Sequence, residues 1–329
     1  MRKNLMLVLV LSFVAAAGIV GLAEKEPLLI YTSCPTEIMS AIEQDFEALN
    51  PTIDLQVYRS GTGTVQAKIA AEKEAGRILA DLIWVAEYSY CETLKDQDLL
   101  FPYLSPQAAS LPASLVQPEG YYYGARVFAM VICYNSLYVT EPPTSWLDLL
   151  DPKWAGQVVT GNPQYSGSNV VTCAALGMTY GVNYFEQLRA NGCTVVQGNS
   201  QSAAEVSSGA YLIGFTLDNM VRDLKKAGSP IELVYPTDGA VLVPSPIAII
   251  KTTDHLAAAK AFVDYVLSPN GQKALVTFGQ YVPARTDVVG PVGAPTLAEL
   301  SAQSISLPMD FFKCTSNFFT EQFVEIMLE

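Results

Sequence analysis

Apolar positions along this chain change period several times, and each change marks an element. Leu28–Tyr31 is a short unbroken apolar run that predicts a buried strand. From Thr36 to Leu49 the spacing becomes helical, with Ile38, Met39, Ile42, Phe46 and Leu49 on one face, and Asn50-Pro51 stops it. Ile53–Tyr58 predicts a second strand. The turn Arg59-Ser60-Gly61-Thr62-Gly63 then leads into a helix from about Thr64 to Ala75, and Asp81–Val85 predicts a third strand. This order of strands and helices implies an α/β unit around a mostly parallel sheet.

The middle of the chain repeats the order. Val158–Thr160 predicts a strand, Asn162–Ser168 a loop, Val170–Leu176 the opening of a helix, and Tyr184–Ala190 a further helical stretch. Tyr211–Phe215 predicts a strand, Met220–Lys226 a helix and Ile231–Tyr235 another strand. Two apolar segments, Tyr123–Tyr134 and Val241–Ile250, are each long enough to cross between the units. Ala257–Leu267 is strongly helical, with Lys260 and Asp264 on its polar side, and rejoins the first unit. Val288–Pro295 predicts a loop entering a final helix.

The expected organisation follows from these crossings. Residues 24–125 and 243–285 form one lobe, 126–242 the other, and 286–329 a C-terminal helical segment packing back on the second lobe. Two crossing strands leave a cleft at the hinge, and clefts between domains are common ligand sites.

The N-terminus adds a destination. Arg2 and Lys3 precede an apolar run from Leu5 to about Val20, and Gly21-Leu22-Ala23 stands before the charged Glu24-Lys25-Glu26. That layout predicts a secretory signal peptide, residues 1–23, cleaved after Ala23. With no Cys at its end, a lipid anchor is not implied. A periplasmic or otherwise extracytoplasmic location follows. The net charge of −13 argues against nucleic acid as a partner, because phosphate backbones need basic surfaces. Six cysteines in an exported chain permit disulfides. Cys133 lies in an apolar run and reads as core, whereas Cys173 and Cys193 are able to pair. No CxxC spacing suggests zinc.

Catalytic chemistry is thinly provided. The single histidine, His255, sits beside Asp254 at a helix start and reads as a surface residue, which disfavours Ser-His-Asp and Cys-His chemistry. No GxSxG, HExxH or GxxxxGK[ST] motif occurs. A carboxylate-only enzyme is the remaining catalytic option, and no carboxylate pair stands out for it. What is present is two small-residue loops at helix starts: Ser60-Gly61-Thr62-Gly63 and Ser166-Gly167-Ser168-Asn169. Small residues let backbone N–H groups approach an anion, and the helix start adds a partial positive charge. Arg59 and Arg285 offer charges to steer an anion or to form surface ion pairs. Tyr31, Trp84, Tyr88 and Tyr121–Tyr123 offer rings for stacking on a flat ligand.

With these residues in view, the chain resembles the periplasmic binding proteins that serve ferric-iron, phosphonate, sugar-phosphate, thiamine and polyamine importers. The carrying stretches are Leu29-Ile30-Tyr31-Thr32, Arg59–Gly63, Asp81-Leu82-Ile83-Trp84, Asn162-Pro163 with Ser166-Gly167-Ser168, and Val234–Gly239. Ala259–Tyr265, with Leu267-Ser268-Pro269, Gly271-Gln272, Tyr281-Val282-Pro283 and Arg285, is the most specific part.

The resemblance implies the two-lobed α/β fold of these proteins, each lobe a mixed, mostly parallel sheet flanked by helices. It also implies a monomer that closes on a small molecule without turnover and docks on the permease of an ABC importer. No cofactor is implied. The tyrosine pair that holds ferric ion in relatives is replaced by Asp218-Asn219, and Thr32-Ser33-Cys34 stands where many ferric binders carry a histidine. The expected cargo is therefore a phosphate-bearing organic molecule: a sugar phosphate, a phosphonate or a vitamin phosphate. Its phosphate would rest on Ser60–Gly63 and Ser166–Asn169. Tyr31, Thr32, Ser33 and Glu87 would stand nearby, and Asp218 and Asp238 would accept hydroxyls. A ferric-ion binder using other tyrosines and carboxylates is the alternative.

Overall fold

A computed structural model describes residues 25–329, so the expected signal segment lies outside the described residues. In chain order the first lobe opens with β1 (Glu26–Thr32), α1 (Thr36–Leu49), β2 (Ile53–Arg59), α2 (Thr62–Glu74), β3 (Leu82–Trp84), α3 (Tyr88–Asp96) and β4 (Leu100–Phe101). The long β5 (Tyr122–Asn135) crosses over. The second lobe then contains β6 (Val158–Gly161), α4 (Gly167–Tyr180), α5 (Asn183–Ala190), β7 (Thr194–Val196), α6 (Asn199–Ser208), β8 (Ile213–Leu217), α7 (Asp218–Lys226) and β9 (Ile231–Val234). β10 (Val241–Ile250) returns to α8 (Leu256–Leu267) and α9 (Pro269–Gly279). The chain ends with α10 (Leu297–Ala302) and α11 (Met309–Leu328), two helices where the sequence suggests one.

The strands form one curled mixed sheet in the order β2-β1-β3-β10-β5-β8-β6-β7, with β4 added on β10 and β9 on β5. β1 pairs in parallel with β2 and β3, and β6 pairs in parallel with β7 and β8. The two parallel halves are joined by β5 and β10, which run antiparallel to each other. Their register slips once. Ser245 faces Arg126, but Pro246 faces Gly124, so Ala125 is an extra residue in β5. Pro244 and Pro246 have no N–H to give, and a proline next to a slip is where a strand tolerates one.

α1 covers the sheet with the face that its spacing predicts. α1 buries Ile38, Met39, Ile42 and Phe46. The Phe46 ring meets Phe262 of α8 edge-on at 5.0 Å. α4 is buried on nearly every side because α11 lies against it: Phe319 of α11 occupies the space that a side chain at Gly177 would need. Phe323 of α11 packs edge-on against Phe185 of α5 at 5.4 Å. Truncating such a buried ring costs about 3–5 kcal/mol. No helix among the described residues is long and apolar enough to cross a membrane.

All six cysteines are unpaired. Cys133 lies in the core, as its apolar surroundings predict, while Cys173 and Cys193 are separate buried thiols rather than partners. Burial disfavours their charged form and pushes the Cys133 and Cys193 thiols up to about 12. Only Cys314, on α11, is exposed. A thiolate is the reactive species, so the native protein should titrate one thiol with Ellman's reagent at neutral pH and six after unfolding. Replacing Cys314 with Ser should abolish the native signal. Four thiols after unfolding, with two more released by reductant, would instead mean that a disulfide forms.

Candidate ligand-binding cleft

β1, β2, β6 and β8 all run toward the crossing, so their C-terminal ends meet there. The helices that follow start from the same edges, as parallel sheets require. Between the two edges lies a cleft of about 260 Å³. Ser33, Gly61 and Thr62 line it from the first lobe, and Ser166, Gly167 and Ser168 from the second.

The two loops touch across the cleft, and glycine is what lets them. A Cβ at Gly61 would sit 2.5 Å from the Tyr165 ring, and one at Gly167 would sit 2.8 Å from Glu87 Cβ. A Cβ at Gly63 would clash with the Gln164 carbonyl oxygen. Gly63 N–H donates to the Tyr165 carbonyl at 3.3 Å. The two loops are thus in direct contact, with the small residues used for that contact as well as for lining.

Among the helix starts on the cleft, three begin at small residues: α2 at Gly61, α4 at Ser166 and α6 at Gly198, none carrying a side-chain cap. By contrast α3, α9 and α10 are capped by Glu87, Ser268 and Thr296. The partial positive ends of three helices therefore border one space. Asn199 ties two of them together. Its Nδ2 donates to Ser166 Oγ at 3.1 Å and Ser168 Oγ at 2.7 Å, while Oδ1 is buried without a partner.

The sequence reading does not include α6. Its segment Asn199–Ser208 is polar, with only Ala203, Ala204 and Val206 to show a face. The available signals were Gly198-Asn199 at the start and Gly209, at φ 81°, at the end.

Arg126 and Tyr281 also line this cleft, and the sequence reading contains neither as a site residue. Arg126 is 2% exposed. Its guanidinium lies over the rings of Trp84, Phe128 and Tyr281 at 4.9, 5.6 and 5.5 Å. It donates to Tyr281 Oη at 3.2 Å and Ser245 Oγ at 2.9 Å, and Nε–H is buried without a partner. Arg59 is exposed at the rim, 3.4 Å from the Tyr165 hydroxyl. Among the described residues no Asp or Glu lines the cleft. A chain of net charge −13 thus encloses a space whose formal charges, among the described residues, are two arginines.

Other residues expected at the site sit elsewhere. Strand alternation turns Tyr31 to the opposite face of β1, where its hydroxyl donates to Glu72 at 2.7 Å; burial, then that bond, pushes the phenol up to about 12. Thr32 is buried and donates to the Trp84 carbonyl. Ser60 and Gly63 belong to the touching loop but do not line the cleft. Asn169 donates to the Gly161 carbonyl at 2.9 Å. Glu87 caps α3 and accepts from Ser89 and Tyr90 N–H; burial nevertheless raises its carboxyl.

Asp218 is fully buried. It accepts from Ala129 N–H and the Tyr235 hydroxyl at 2.9 Å each and pairs with Arg222 at 2.9 Å. Asp238 accepts from Trp146 N–H and the Tyr180 hydroxyl. Both carboxylates are occupied by the second lobe's own donors and are kept out of the cleft. Arg285 pairs with Asp287 and donates to the Leu267 carbonyl. Trp84, Tyr88, Tyr122 and Tyr123 are packed or bonded away from the cleft; its rings are Phe128, Tyr165 and Tyr281.

Comparisons with known proteins fit this architecture. The probable ABC transporter periplasmic-binding protein y4fP of Sinorhizobium fredii is 24% identical over 313 residues, covering 91% of this chain and 85% of that protein. The periplasmic binding protein AfuA of Actinobacillus pleuropneumoniae, with fructose-6-phosphate bound, has a TM-score of 0.82 at 23% identity, over 92% of this chain and 99% of that one. Iron-bound HitA of Pseudomonas aeruginosa has a TM-score of 0.80 at 22% identity, over 91% and 99%. The model for bacterial extracellular solute-binding proteins matches residues 78–300, from just before β3 through both crossings into α10, and the chain belongs to that family.

Proposed function

We propose that this protein is the extracytoplasmic binding component of an ABC importer and closes its lobes on a small phosphate-bearing organic molecule without turning it over. The observation that carries the reading is the convergence of three uncapped helix starts on a cleft that holds arginine and no carboxylate. A phosphate ester presents three acceptor oxygens and up to two negative charges, which suits N–H and hydroxyl donors around it. Family membership supports a small-molecule ligand and a permease partner. AfuA's bound sugar phosphate supports the ligand class.

Ferric ion fits the lining less well. It prefers anionic oxygens, and the cleft offers the phenols of Tyr165 and Tyr281 with no carboxylate. Burial, first of all, and the Cys34 thiol beside it raise the Tyr281 phenol, which keeps it neutral.

Two measurements test the proposal. Calorimetric titration with fructose 6-phosphate, glycerol 3-phosphate and inorganic phosphate should show saturable binding of at least one. Ser168→Ala should weaken it by roughly fivefold to tenfold, the worth of one hydrogen bond. Absence of binding by all three, together with a visible phenolate-to-iron band on adding ferric ion, would sink the reading.

The lobe contact gives a second prediction with opposite signs. Gly63 lies in the first turn of α2 without positive φ, so Gly63→Ala should raise helix stability by up to about 1 kcal/mol. The added methyl group clashes with Gln164 only when the lobes are closed. Ligand affinity should therefore fall roughly tenfold to a hundredfold while the melting temperature holds or rises. Unchanged affinity would show that binding does not need this closed contact.

A further inference from the structure

Arg126 is a buried cation with no anion. Among the described residues the other two largely buried arginines at lobe contacts are paired: Arg222 with Asp218 and Arg285 with Asp287. Arg126 forms no ion pair there, and its hydrogen-bond partners are the hydroxyls of Tyr281 and Ser245. Its acidic neighbours supply no charge. Burial outweighs the attraction of Arg126 and keeps the Cys34 thiol raised, and the Tyr281 phenol is raised as well. Three aromatic faces offset part of the cost of burying a guanidinium. They do not satisfy Nε–H, which has no partner. An unpaired buried charge is costly, so its position calls for a counter-charge.

The placement says where that counter-charge comes from. Arg126 stands at the register slip of β5, the point where the strand passes between lobes, and a bulge re-aims a side chain. It lines the cleft from the hinge side. Ser33, whose Oγ is also buried without a partner, lines the same cleft just before α1, another helix start with no side-chain cap. The Ser166–Ser168–Asn199 network belongs to the second lobe. The cleft therefore holds two sets of donors: the α2, α4 and α6 starts, and Arg126 with Ser33.

We infer that the ligand carries two anionic groups, a phosphate on the three helix starts and a carboxylate on Arg126, so that Arg126 selects phosphorylated carboxylic acids over phosphorylated polyols. This rests on the phosphate reading above. A guanidinium suits a carboxylate because its planar N–H edge matches the two oxygens.

The test uses two probes of similar size. 3-Phosphoglycerate and glycerol 3-phosphate share a three-carbon skeleton with a terminal phosphate ester and differ in having a carboxylate or a hydroxymethyl group. By calorimetry, the wild-type protein should bind 3-phosphoglycerate on the order of tenfold to a hundredfold more tightly. Arg126→Met should erase that preference, with the larger loss of affinity falling on 3-phosphoglycerate. Arg126→Lys, which keeps the charge but not the planar fork, should restore part of it. Equal wild-type affinities would overturn the inference even if both substituted proteins failed to fold. Equal loss of both probes in folded Arg126→Met would also overturn it, by assigning Arg126 to the phosphate. If neither probe nor inorganic phosphate bound the wild type, the phosphate reading would fall along with the inference.

Discussion

The antiparallel pairing of β5 with β10 is the constraint on which the rest depends. Without it the chain would be two parallel half-sheets with no fixed relation. With it, the carboxyl edges of β1 and β2 are held opposite those of β6 and β8. The pair is also the least regular part of the sheet. Two prolines on β10 flank Ser245, and one residue of β5 is left over beside them. A ladder weakened at one point bends there first. The same slip that makes a hinge also presents Arg126 to the cleft, so the mechanical and the chemical centre of the molecule coincide.

Electrostatics inside the cleft owe little to the formal charge of the chain. An acidic protein would repel anions at long range, but solution salt screens that repulsion beyond roughly 8–10 Å. Backbone dipoles act within the first helical turn. Three such turns meet at the cleft, and the carboxylates that would cancel them are held elsewhere. Asp218 is occupied by Arg222, Tyr235 and a backbone N–H, Asp238 by Tyr180 and Trp146, and Glu87 by the start of α3. The local field follows from which acidic groups are already paired.

Legibility in the sequence divides along physical lines. Long periodic runs such as Thr36–Leu49 and Val241–Ile250 announced their elements because burial on one or both faces writes itself into spacing. The glycine loops were legible as close-approach sites, although glycine alone cannot tell approach by a ligand from approach by the other lobe. Tyr31 illustrates a different limit: one step along a strand reverses the face, and the sequence shows the alternation without showing which side is the cleft. α6 and Arg126 were missed for opposite reasons. α6 is too polar to announce a helix, and Arg126 sits in a run so apolar that it reads as core. A charged residue inside such a run was the available signal, since burying one needs a partner.

The contacts between lobes also sort by distance from the crossing. Arg222 of α7 donates twice to the Gln280 carbonyl, at 3.2 and 2.9 Å, and Asn219 Nδ2 donates to the Gly279 carbonyl at 3.1 Å. Those carbonyls lie at the end of α9, two to three residues before Val282, which bridges to Val127 beside the register slip. A rotation about the slip moves groups in proportion to their distance from it. On the proposed closure the α7–α9 bonds would change little and act as a pivot, while the Gly63–Tyr165 contact would take up more of the motion. The partition has an energetic reason. Arg222 carries its own carboxylate and can stay buried whether or not ligand is present, so it suits a permanent joint. Arg126 carries none, so it is stabilised only when something anionic arrives between the lobes. On the proposed function, a fixed charge pair at the pivot and an unpaired charge at the hinge floor would make closure depend on the ligand.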